Sequence, residues 1–285
     1  MLRAAAPMLL TGVLLIGCAG TPEPTRDPSP PRQTELDAIA AAIAGDYVAI
    51  KRPGDTLEPV RLRVEAEPDA IGAALLMTQV RAGVERRFRL QLGPGASAET
   101  FDARFIPLRA GRDDAGPACA MRFRLAAGLL VGETDPDECR FQSGGLSIGL
   151  LKEISFEGDR ILMADQLLLE DGSPFADADR LALGRVTEFS GMLAHNEHGS
   201  WRIARNLRLA SGGNLVEPLD AAGMSLGVLL NLELVESMER QVPALRLQVL
   251  DEATGRVTAE VWNDIDAGLI GLGLETLRIE LYRQP

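Results

Sequence analysis

Two serines sit in the pattern that hydrolases use for a nucleophile. Gly145-Leu146-Ser147-Ile148-Gly149 and Gly223-Met224-Ser225-Leu226-Gly227 both fit Gly-x-Ser-x-Gly, which does chemistry when a strand, a tight turn and a helix expose the serine oxygen. His195 follows the first serine in the required order, but no histidine follows the second. Residues 152–156 read as another strand where the elbow needs a helix, and a chain with 29 glycines generates the pattern freely. No catalytic residue is assigned on this basis. His195 and His198 straddle Asn196 and Glu197 at a spacing that suits two imidazoles on one metal, yet no carboxylate pattern beside them matches a known ligand set. The preferred reading is a solvated loop and no metal. Arg87, Arg89, Arg104, Arg122 and Arg124 would grip carboxylates in pairs if they pointed into a cavity. Each alternates with apolar neighbours, which predicts an outward, solvated face instead.

The N-terminus carries different chemistry. Arg3 precedes an apolar run from Ala4 to Ile16 that is too short for a permanent bilayer span, and the run stops at Leu15-Ile16-Gly17-Cys18. This resembles the bacterial lipobox, so residues 1–17 are expected to be a signal peptide and Cys18 the site of lipid attachment. Ala19 follows, where an Asp would direct retention at the inner membrane. The implied address is therefore the outer membrane, with the protein anchored by its acyl chains and facing the periplasm. In that oxidising compartment Cys119 and Cys139 would form a disulfide, the alternative being two buried thiols. They lack the close pairing of a zinc site.

Residues 18–33, with Pro22, Pro24, Pro28, Pro30 and Pro31, cannot bury a core and read as an extended tether. Thr34 and Asp37 then open a short helix through Leu36, Ile39, Ala40 and Ile43, with Gly45 as its stop. After Tyr47 the apolar period drops to two. Val60, Leu62 and Val64, then Met121, Phe123 and Leu125, alternate with charged residues, and Leu245, Leu247 and Val249 turn through 251–255 into Val257, Ala259 and Val261. Leu230, Leu232 and Leu234, and Leu277, Ile279 and Leu281, add two more strands. The run 68–80 is read as the one short helix among them. So many solvated strands must close or stack, which predicts an antiparallel barrel or sandwich. The net charge of -12 opposes binding to nucleic acid, and 4% aromatic residues supply few stacking platforms.

Several of these segments fall in one order. Cys119-Ala120-Met121-Arg122-Phe123, Gly132-Glu133-Thr134-Asp135-Pro136 and Cys139 resemble the cysteine-bounded hairpin of the CpeT/CpcT-type phycobiliprotein chromophore lyases. Arg87-Phe88-Arg89-Leu90 looks like that family's Tyr-Arg-x-Arg segment, Thr78-Gln79 its Glu-Gln pair, residues 161–166 the strand ending in Asp-Arg, and Phe189 the closing aromatic strand. The resemblance covers about 36–190. It departs at Arg86 for Tyr, Thr78 for Glu and Gln166 for Arg, and the chain continues to 285 and is expected to be exported. What the resemblance implies is a calyx-like, lipocalin-like barrel over 34–190, with 191–285 as a β-rich extension. It also implies ligand-binding roles for Arg87, Arg89 and Asp165, and a bilin or other tetrapyrrole as the candidate ligand. The expected function is a lipid-anchored module that binds a small anionic ligand or a protein partner. The alternative is a lyase-like protein that acts by positioning a chromophore.

Overall fold

The computed structural model describes residues 33–285 apart from 53, 55–57, 69–71, 109–117, 198 and 240, and it is almost entirely antiparallel β. Cys18 and the tether up to Arg32 lie outside the described residues. Helix α1 spans Gln33–Ile43 and buries Leu36, Ala40 and Ile43 on one face. Gly45 turns the chain out of it with φ of 154°, and a Cβ there would lie 2.4 Å from a guanidinium nitrogen of Arg185.

Eleven strands make the first sheet: β1 (Gly45–Ala49), β2 (Arg61–Pro68), β3 (Ala73–Arg81), β4 (Val84–Pro94), β5 (Thr100–Leu108), β6 (Cys119–Ala126), β7 (Leu129–Thr134), β8 (Arg140–Ser143), β9 (Leu146–Glu157), β10 (Arg160–Leu168) and β11 (Asp179–Arg185). All but β8 form a closed ring, because β9 pairs with both β7 and β10, and β11 returns to β1. Closure removes the exposed edges that an open sheet of this size would offer. The flap β8 is a hairpin with β9. Alternation sends Leu62, Val64, Leu75, Met77, Phe88, Leu90, Phe123, Ile154, Phe156 and Ile161 inward, where they form one packed cluster with the buried face of α1. The helix is held at its end of the barrel by Tyr47, whose hydroxyl donates to the Ile43 carbonyl at 2.6 Å.

One expectation fails here. Residues 73–80 belong to strand β3, not to a helix. Local alanine content favours a helix, but Ala73, Leu75 and Met77 face the barrel core while Ala74 and Leu76 are buried on the outer face. A strand buried on both faces shows no alternation, and its pairing with β2 and β4 overrides propensity.

The chain leaves the first ring at Arg185 and enters a second set of strands almost at once. These are β12 (Glu188–Glu197), β13 (Ser200–Ala210), β14 (Gly212–Val216), β15 (Val228–Glu236), β16 (Pro243–Asp251), β17 (Val257–Asp264), β18 (Leu269–Gly273) and β19 (Leu277–Arg283). They form two four-stranded sheets, ordered β13-β12-β19-β18 and β14-β15-β16-β17, around a second core that includes Phe189, Leu193, Leu230, Leu232, Leu247, Val249, Ile270 and Leu281.

The two bodies share a seam. Val48, on the outer face of β1, belongs to the second core, and Ile50 packs against it. Gly184 leaves room for Leu234, whose methyl would lie 2.7 Å from a Cβ at that position. Lys51 extends the contact by pairing its backbone with Leu234 and Glu236. Among the described residues no helix is long and apolar enough to cross a membrane.

Candidate functional site

The far end of the barrel from α1 holds the polar exception to its core. On β9, Leu150, Ile154 and Phe156 face inward, and Lys152 occupies the same phase. Its side chain is 3% exposed, and its ammonium donates to Asp165 Oδ1 at 2.6 Å. Asp165 is the direct cross-strand partner of Lys152 on β10, so both side chains leave the sheet on its inner face. The carboxylate is 45% exposed and marks where water reaches the barrel mouth. Phe88 and Phe105 face the ammonium with centroids at 5.4 and 4.8 Å. Their ring faces stabilise a cation that the apolar wall would otherwise exclude. Below it, buried Thr134 accepts from the Lys152 backbone N–H at 2.8 Å and donates to the Leu150 carbonyl at 2.7 Å.

The disulfide frames this mouth. Cys119 and Cys139 are bonded, with Cα atoms 5.0 Å apart. Cys139 also accepts, through its carbonyl, the N–H of Leu150, two residues before Lys152.

The structure separates the residues grouped by the family resemblance. Asp165 lies inside the mouth, whereas Arg87 and Arg89 lie on the outer face of β4, out of phase with Phe88, Leu90 and Leu92. Arg89 reaches Glu67 at 3.0 Å across β3. A ligand inside the barrel would not meet either arginine. Arg104, Arg122 and Arg124 are exposed on their strands, alternating with inward Ala103, Phe105, Met121 and Phe123. Ser147 lies on β9, where its hydroxyl accepts from Arg140, and Ser225 donates to Glu252 at 2.6 Å. Neither serine sits on a turn into a helix. His195 meets the Leu226 carbonyl through Nδ1 at 2.8 Å, while His198 lies outside the described residues. No metal-binding group of His, Cys, Asp and Glu occurs among the described residues.

Lys152 was missed by reasoning from arginines, although its signal is in the sequence. The chain has only two lysines, Lys51 and Lys152, and Lys152 breaks an otherwise apolar inward series. Lys51 serves the seam in a parallel way. It bonds buried Glu233 at 2.9 Å, and Arg246 binds the other oxygen of that carboxylate while lying over the Trp262 ring. Burial of Glu233 raises its pKa, but the hydrogen bonds and charges of Lys51 and Arg246 outweigh it and hold the carboxyl below its ordinary range. Both lysines thus stand where a compact charge on a flexible stem meets one carboxylate in a tight space.

A second feature lies on the outside of the C-terminal body. A groove of about 630 Å³ opens where the β15–β16 turn meets the end of β17, with Met238, Val242 and Trp262 exposed in its wall. Compared with protein-family models and with curated proteins, the chain matches none.

Proposed function

We propose that this chain is an exported lipoprotein whose acylated Cys18 tethers a rigid, two-bodied β scaffold to the outer membrane, facing the periplasm, where it binds a protein partner through its outer surface. One observation favours an outer binding surface over a calyx. The inward side chains of the ring, from Leu62 to Leu183, pack into one apolar cluster closed by α1, with the Lys152–Asp165 pair at its mouth, so the interior is largely filled. A tetrapyrrole with two propionates would need cations facing inward, and the arginine pair of the resemblance faces out. The lyase-like alternative therefore ranks second. Its remaining support is Asp165, placed inside the mouth beside Lys152.

The anchor is supported by the agreement of Arg3, the short apolar run and Cys18. A disulfide between Cys119 and Cys139 fits the same oxidising destination. Fractionation tests the reading. The wild-type chain should sediment with membranes and carry acyl mass on Cys18, and Cys18→Ser should release it into the soluble fraction. Wild-type protein that is soluble and unacylated would refute the anchoring. Titration with biliverdin and with haem tests the alternative. An unchanged absorbance spectrum is expected, and a red-shifted band abolished by Lys152→Met would instead establish a calyx ligand.

A further inference from the structure

The groove beside Trp262 carries more than exposed apolar surface. Strand β17 closes the order β14-β15-β16-β17 and pairs only with β16 among the described residues, so it is a sheet edge of eight residues. Unpaired edge groups of this kind accept an added strand. The surroundings are mostly acidic: from 257 to 268 the chain carries Glu260, Asp264 and Asp266 and no basic residue, and Arg246, which lies over the Trp262 ring, has its charge met by buried Glu233. Glu239 adds a further acidic side chain to the groove wall. Met238 is 76% exposed, and Val242 and Trp262 stand beside it.

We infer that this edge and groove dock an extended segment of a partner protein that presents on one face an apolar residue flanked, two positions away on either side, by lysine or arginine. The backbone of the segment adds to β17, one apolar side chain settles against Met238, Val242 and Trp262, and basic side chains meet the acidic rim. The inference rests on the scaffold reading, and names where its partner attaches.

The probe is a fluorescently labelled peptide as long as β17 that carries lysine, valine and lysine at successive alternate positions with threonine between them, and the control replaces every lysine by glutamate. Both are titrated by anisotropy into the full-length protein in mild detergent. Expected is saturable binding of the lysine peptide, with the glutamate peptide weaker by about tenfold or more. The lysine peptide should also weaken about tenfold on Glu239→Gln with Asp266→Asn, and again on Val242→Lys. Met224→Lys, exposed elsewhere on the same body, should change nothing. Equal binding of the two peptides, no binding of either, or unaltered affinity in the groove variants overturns the inference. Membrane fractionation of the same variants reports the scaffold reading separately, since groove changes leave Cys18 untouched.

Discussion

Removing either partner of the Lys152–Asp165 pair should have very unequal effects. Asp165→Ala leaves the ammonium in the barrel mouth without its counter-charge, and breaking a buried pair this way typically costs about 3–5 kcal/mol. Asp165 is nearly half exposed, so water can partly replace it, and the two aromatic faces remain. The expected loss is about 2–3 kcal/mol. Lys152→Met keeps the length of the side chain, adds an apolar group between Phe88 and Phe105, and leaves behind a carboxylate that water already reaches. Its expected cost is about 0–1 kcal/mol. With a urea slope of about 2–3 kcal/mol/M, Asp165→Ala should lower the unfolding midpoint by about 1 M and Lys152→Met by much less. The presence of only two lysines supplies a local assay. Brief acetylation followed by mass spectrometry should modify Lys51 well before Lys152, and Asp165→Ala should speed modification of Lys152. Equal destabilisation by the two variants, or Lys152 reacting as fast as Lys51 in the wild type, would refute the claim that this charge is buried and held by its neighbour.

Other outcomes follow from the same coordinates. Gly132→Ala puts a Cβ 2.4 Å from the buried Phe123 ring and should destabilise by about 1–3 kcal/mol in urea unfolding, with little change in far-ultraviolet circular dichroism. Cys119→Ala with Cys139→Ala removes a cross-link over 20 residues and should lower stability by about 3 kcal/mol, as should reduction of the wild type. Glu233 has a lowered folded-state pKa, so the stability it contributes is complete above the ordinary carboxylate range and is lost as pH falls through the folded value. Glu233→Gln should therefore lower stability at neutral pH by about 1–3 kcal/mol and flatten the acid limb of the stability profile, read by unfolding titrations from pH 7 downward. An acid limb of unchanged steepness in that variant would show that another carboxylate dominates.

Much of the architecture was written in local pattern. The alternation at Leu62 and Val64, at Met121 and Phe123, and at Leu245 to Val249 reports strands with one wet face, and the helix announced itself through the spacing of Leu36, Ala40 and Ile43. Phase likewise placed Arg104, Arg122 and Arg124 on the outside, because side chains alternate with a period of two whatever the sheet does next. Residues 73–80 were illegible for the converse reason, since a strand buried on both faces has no alternation to read. Which strands distant in sequence meet was a matter for the tertiary structure alone. The β9–β10 hairpin, turning at Gly158 and Asp159, sets Asp165 opposite Lys152 locally, but only closure of the ring brings Phe88 and Phe105 against that ammonium, and only packing of β1 against the second core sets Lys51 on Glu233. Hydrogen-bond register between strands far apart in sequence depends on the whole ring closing at once, and a single chain read from end to end carries no record of it.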